Sequence, residues 1–425
     1  MRIFSELGGA IEEAWRATSY DERALPTVAA SMLRKATLHT RVNSEEVLRW
    51  AITARELPAQ DDLAARFGDP PLTVFSGRRF YIQVLFWLEG STAIHRHGFS
   101  GAFMVLDGSS LHGAYAFRPR RRINTHFYTG ELELIDVELL ARGAVVPITN
   151  DLSHSLFHLE VPCATVVVRT YADDDANPQF NYMPPSVAID PFYRDVPTTR
   201  MLQLLSFARR GKHLDFEGIA GDILARADLH TTWDVLDQVY RAVGSVEGAA
   251  PLVAIARQRH GEVIDDLAAA LGEELRRRAV EKLRNAIEEP DLRFFLALLA
   301  NLPHRDAIDA MIGQRYPKSR PRDRIEGWLR QLSGADSIGI DFTDAVTARA
   351  FFGLLDGGSN EDAIDALKEF YDPEDVEARR LALLRHCNRM RTTALAPLLT
   401  RAEPARLRST RGIRERDRAA RARVG

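Results

Sequence analysis

Among 425 residues there are only two cysteines, Cys163 and Cys387, far apart in the chain. A disulfide framework is thereby excluded, and the usage fits a reducing compartment. No apolar run approaches the roughly 18 residues that a membrane-spanning helix needs. The opening Met1-Arg-Ile-Phe-Ser-Glu lacks the basic start and apolar stretch of a secretory leader. A cytoplasmic protein with no membrane partner is expected. The 56 Lys and Arg against 59 Asp and Glu leave a formal charge of −3, which gives no global reason to expect nucleic acid. Also missing are a glycine-rich phosphate loop ahead of a helix, a nucleophile elbow and a Cys-x-x-Cys pair. Nucleotide, serine-hydrolase and dithiol chemistry lose their usual signatures.

The 45% of hydrophobic residues supply a sizeable core, and the length implies two or three domains. Residues 1–68 read as a helical lead, because Glu6–Trp15, Leu25–Ala36 and Ser44–Ala54 carry apolar residues three and four apart. Residues 69–198 change character. Short Val-, Ile-, Phe- and Tyr-rich runs, from Phe80–Leu88 to Ala164–Tyr171, alternate with turn residues such as Gly108 and Gly143, which predicts a jelly-roll barrel. A trailing stretch, 173–198, reads as a linker or a partial lid. Residues 199–400 are helical by pattern, with an internal echo: Asp306–Tyr316 returns at Asp362–Tyr371, and Phe294-Phe295 at Phe351-Phe352. Ala256–His260 parallels Ile312–Tyr316. Stacked helical repeats are expected, offering a surface for a protein partner or self-association. The last 25 residues hold nine arginines against three acids, a solvated and disordered tail by composition, with an acidic partner or RNA as its functional alternative. The fold class is thus α+β: N-terminal helices, a β-barrel, and an all-α region.

The chemistry concentrates in Trp87-Leu-Glu-Gly-Ser-Thr-Ala-Ile-His95-Arg-His97. Histidines two apart at the end of an apolar run project from one side of a strand and can share a metal ion. His154 and His158 stand four apart in a later strand-like run and so keep one strand face. His112 and His126, single histidines in strand-like segments, read as structural or exposed. Cys163 reads as a buried small residue.

Gly90-x4-His95-x-His97 resembles the first motif of the cupin superfamily, and Gly143–Pro147 followed by His154 and His158 resembles the second. The glutamate that most cupins place four or five residues after the second histidine is replaced here by Gly101 and Ala102. That departure resembles the cysteine dioxygenase-like branch, whose iron is held by three histidines, as does Trp87-x-Glu89-Gly90. The resemblance covers about residues 70–172. It implies His95, His97 and His154 as metal ligands, with His158 the alternative third. Fe(II) with O2 as co-substrate is implied, although Ni, Cu, Mn or Zn suit the same donors. Tyr171 matches the family's active-site tyrosine, and His158 is the other candidate catalytic group. Arg169 replaces a relay histidine and, with Phe99 and Ser100, is a candidate substrate-binding residue; an inward arginine would meet an anion. The family's carboxylate-binding arginine has only Arg66, Arg78 and Arg79 as candidates. Gly98, Ser100, Gly101 and Ala102 suggest room for a substrate larger than cysteine. The expected function is a non-haem Fe(II) oxygenase acting on a small anionic, thiol or amino-acid substrate, free or carrier-bound. The alternative is a cupin that senses a ligand or metal without turnover and is joined to a helical interaction scaffold.

Overall fold

A computed structural model describes residues 1–60, 67–88, 90–160, 162–171, 179–193, 195–211, 214–332 and 340–401. The lead forms helices Arg2–Arg16, Leu25–Ala36, Leu38–Arg41 and Ser44–Thr53. The last is fixed by a capping box in which Asn43 Oδ1 accepts from Glu46 N at 2.9 Å and Asn43 N donates to Glu46 Oε2.

Twelve strands follow: β1 Pro71–Ser76, β2 Phe80–Trp87, β3 Gly90–Ser91, β4 Ile94–Arg96, β5 Gly101–Asp107, β6 Ser110–Asn124, β7 Phe127–Leu140, β8 Val145–Ile148, β9 Ser153–His158, β10 Cys163–Thr170, β11 Asn181–Met183 and β12 Val187–Ile189. They form a five-stranded sheet, β1-β2-β10-β5-β8, and a seven-stranded sheet, β3-β9-β4-β11-β12-β7-β6. An extra β9–β6 pairing closes a ring through β9, β4, β11, β12, β7 and β6. This is a jelly-roll barrel, as expected.

The five-stranded sheet is buried on both faces, which explains runs such as Val166-Val167-Val168. Its outward residues, among them Phe80, Ile82, Val84, Met104, Val166 and Val168, pack with Phe4, Leu7, Ile11, Trp15 and Leu33 of the lead in one core. Burying each of these large side chains contributes roughly 1.5–3 kcal/mol. Its inward residues Leu85, Phe103, Val105 and Val167 join Phe99, Ile148 and Leu156 in a second core inside the barrel.

The stretch expected as a linker or lid supplies two strands instead. β11 pairs with β4, opposing Asn181 to His95, and β12 pairs with β7. Three-residue strands carry too little alternation to be seen in sequence, and long-range pairing makes them. Two compact units emerge, Met1–Glu133 with Glu138–Glu273, and Leu134–Val137 with Glu274 onward. In the second, Phe294-Phe295 lie on helix Pro290–Asn301 ahead of helix Arg305–Arg315, and Phe351-Phe352 on helix Ala345–Leu355 ahead of helix Asn360–Asp365. The echoed residues therefore occupy matching places on two helix pairs. No helix among the described residues is long and apolar enough to cross a membrane. The arginine-rich tail lies outside the described residues, Arg401 apart.

Candidate metal centre

β4 is only three residues long, but β9 and β11 flank it and fix its direction. Its His95 stands directly opposite His154 of β9, and His97 follows one residue past its end. All three imidazoles are buried, at 5% exposure or less. One nitrogen of each lies within 4.8 Å of the others. Nitrogens bound to one ion at about 2.1 Å stand at most about 4.2 Å apart, so the group needs little closure to share a metal.

The hydrogen bonds settle where the protons sit. His95 Nδ1 is 2.8 Å from the Ala93 carbonyl, which only accepts, so Nδ1 is protonated and Nε2 carries the lone pair. That Nε2 is buried without a hydrogen-bond partner. His154 Nδ1 is 3.0 Å from His112 Nε2, and His112 Nδ1 is 3.3 Å from the Glu138 carboxylate. With the carboxylate accepting from His112 and His112 accepting from His154, His154 Nε2 is left as a lone pair. It lies 2.8 Å from His97 Nε2. Burial, then the neighbouring histidines, lower the pKa of His154 well below 6.5; burial, His95 and Arg169 do the same for His97. Burial also lowers that of His95. Buried imidazoles whose nitrogens converge on one point are what a divalent transition metal requires, and the donor set fits one.

His112 and Glu138 were not expected at the site. A lone histidine in a strand gives no sign of its cross-strand neighbour; β6–β9 pairing places His112 diagonally from His154. Such outer partners orient the ligand and hold its tautomer. Replacing His112 with phenylalanine is expected to weaken metal binding by about 10–100-fold with the barrel intact, measured by chelator competition. An unchanged affinity would remove His112 from this role. His126, in contrast, is structural, its Nδ1 2.8 Å from Asp190 Oδ2.

Other expected site residues divide. Arg169 points into the barrel, its guanidinium carbon 3.6 Å from the Phe99 ring centroid and 5.3 Å from that of Tyr81. Phe99 is buried against His97, ring centres 4.4 Å apart. Ser100 does not offer its hydroxyl to the cavity: Oγ donates to Asn150 Oδ1 at 3.2 Å, and its amide bonds Thr170. Tyr171 is a correction. It is 44% exposed and donates to the Gly77 carbonyl at 2.9 Å, against Tyr81 and away from the histidines. Strand β10 ends at Thr170, so the alternation that aims Arg169 inward no longer governs Tyr171. Arg79 lies over Tyr20 of the helical lead, and Arg66 falls outside the described residues.

His158 shares the strand face of His154 but is a further correction as ligand or catalyst. It lies four residues along β9, about 13 Å at strand rise. There it stacks on Trp87 and bonds Ser110 Oγ at 3.0 Å. Burial lowers its pKa from 6.5 to about 4. The unfolded chain then binds the proton more readily, so its contribution is complete above pH 6.5 and is lost as pH falls toward 4, by up to about 3 kcal/mol. His158→Phe is expected to make stability about 2 kcal/mol less sensitive between pH 7 and 5, read from urea unfolding at both pH values. An unchanged pH dependence would contradict the assignment.

The cavity beside His97 and His154 holds only about 20 Å³, lined also by Phe67, Phe99, Phe103 and Arg169. That is room for about one water, not for a substrate larger than cysteine. The small residues have another cause: a Cβ on Gly101 would overlap the Val168 carbonyl oxygen, and Ala102 faces the core under the helices. Phe67 sits at the rim, edge-on to Trp87 and His95 at 5.4 and 5.6 Å and 38% exposed.

Fold and site together define a jelly-roll barrel with a buried three-histidine group. Among solved structures, the chain is similar over part of its length to the following proteins. A cupin-2 domain protein of Shewanella frigidimarina is 16% identical over 25% of this chain and 85% of its own, with TM-score 0.17. A cupin-2 domain protein of Rhodospirillum rubrum is 15% identical over 35% and 81%, with TM-score 0.19. Hydroquinone 1,2-dioxygenase of Sphingomonas sp. TTNP3 is 11% identical over 25% and 68%, with TM-score 0.20. No family model matches the chain, and no curated protein matches it in sequence.

Proposed function

We propose that the barrel holds Fe(II) on His95, His97 and His154 and oxidises a small anionic substrate with O2. The observation that carries this reading is the convergence of three buried neutral imidazoles, with no carboxylate in the group. Once bound, the ion supplies sites for an anion and O2 to meet and a path for electrons between them. Three neutral ligands leave its charge uncompensated, which favours an anion. The chain supplies the rest. Arg169, held over Phe99, attracts the anion beside the cavity. Phe99, Phe103 and Phe67 exclude water, and Glu138 through His112 fixes the direction of His154. A substrate reaches the nitrogens when the rim residue Phe67 turns aside. With Tyr171 elsewhere, the phenol donor of the cysteine dioxygenase-like resemblance has no part in the reading.

The cavity's small size favours a second reading, a metal-binding sensor without turnover. Anaerobic Fe(II) loading followed by oxygen-electrode measurements with thiols, amino acids and diketones separates the two. Substrate-dependent uptake that His97→Ala abolishes supports the oxygenase. Stoichiometric metal with no uptake supports the sensor, and a barrel that takes up no metal removes both.

A further inference from the structure

The second compact unit contains a cavity that the metal centre does not use. Helices Pro290–Asn301, Arg305–Arg315 and Pro321–Gln331 form a first group whose interior is filled by aromatic rings. Trp328 stacks on Phe295 at 5.0 Å and meets Tyr316 at 5.9 Å, and Phe294 meets Tyr316 at 6.0 Å. The second group, Ala345–Leu355, Asn360–Asp365 and Arg380–Met390, begins with the same Phe-Phe pair. Its last helix brings Leu383, His386 and Cys387 to the wall of a cavity. The cavity, lined also by Tyr371, has a volume of about 460 Å³, within the range of small-molecule sites.

The walls and the rim of this cavity differ in character. Ala350, Leu367, Val376 and Leu383 make the walls apolar. The charged lining consists of Asp344, Asp372 and Asp375 against the single cation Arg379, with His386 nearby. Asp344 and Asp372 cap helix starts, their carboxylates accepting from Thr347 N and Glu374 N at 2.8 Å, and Asp344 also bonds the Thr347 side chain. Asp375 makes no ion pair among the described residues. The lining is therefore apolar within and net anionic at the mouth.

We propose that this cavity binds a small apolar molecule bearing a protonated amine, its hydrocarbon against Ala350, Leu367, Val376 and Leu383 and its ammonium among the three aspartates. Apolar surface drives burial of the body, and the unbalanced carboxylates select the sign of the head group.

Titration calorimetry of the full chain with hexylamine, hexanol and hexanoate tests the site. Hexylamine is expected to bind at least about tenfold more tightly than either of the others, because a matched charge and hydrogen bonds add to the same hydrocarbon burial. Asp375→Asn is expected to weaken hexylamine by about threefold or more while leaving hexanol unchanged. Ala382→Phe, at an exposed helical position lining the mouth, is expected to abolish binding of the amine. In the unaltered chain, hexylamine is also expected to slow thiol labelling of Cys387, which lies in the cavity wall. Equal or tighter binding of hexanoate, no binding of any of the three, or hexylamine affinity untouched by Ala382→Phe would overturn the proposal. Far-UV circular dichroism and urea unfolding of the full chain serve as the folding control for both variants.

Discussion

His154→Ala is expected to take metal content from about one ion per chain to below roughly a tenth, because two imidazoles rarely retain a divalent ion against a chelator. Three features make the effect large. His154 is the cross-strand partner of His95 and lies 2.8 Å from His97, so its loss opens the middle of the group. It is also the residue through which Glu138 and His112 act, so its removal disconnects the outer hydrogen bonds from the metal. Finally, its neighbours Phe103 and His112 are rigidly packed, which leaves no side chain free to replace it. His158→Ala provides the contrast, since it should retain a full ion. Elemental analysis of both proteins after loading and desalting reads the difference. The reverse pattern, metal lost in His158→Ala and kept in His154→Ala, would move the centre along β9.

Gly101→Glu is expected to cost at least about 3 kcal/mol and to add no ligand, the second large effect. By sequence this is the change that would restore the missing cupin carboxylate. The backbone forbids it. Gly101 lies between Arg169 of β10 and Ile148 of β8, and any Cβ there overlaps the Val168 carbonyl oxygen. Strand separation would have to increase, which breaks ladder hydrogen bonds in the centre of the five-stranded sheet. Moving the carboxylate one residue on does no better. Ala102 is fully buried and faces Val84 and the lead helices, where an unpaired carboxylate costs several kcal/mol. Urea unfolding with parallel metal titration tests both points. A Gly101→Glu protein of unchanged stability that binds metal more tightly would show that the three-histidine set is not enforced by the fold.

Much of the barrel was legible because its strands are fully buried. β2, β5 and β10 carry a core on each face, so their apolar runs stand out against turn glycines. The strands that escaped notice, β3, β11 and β12, are two or three residues long and exist through their partners. The helical lead was legible as helices, yet its purpose was not: only the assembled sheet shows that Phe4, Ile11 and Trp15 cover the outer faces of Val84, Met104 and Val166. Small residues after His97 suggested space, whereas Gly101 marks two backbones in close approach. A missing side chain reads the same in sequence whether the room goes to a ligand or to the chain itself.

By itself the sequence determined that His95 and His97 share a strand side, since alternation within one strand is a local property. It also determined that the third ligand comes from β9, but not which residue. His154 and His158 are four apart, so strand parity places both on the inner face. Only the register between β4 and β9 chose, by setting His154 opposite His95 and carrying His158 down to Trp87. The same long-range pairings brought His112 to His154, turned Arg169 inward beside Phe99 and released Tyr171 outward. Each depends on which strands are neighbours and at what offset, and the offset is fixed by the packing of both cores at once.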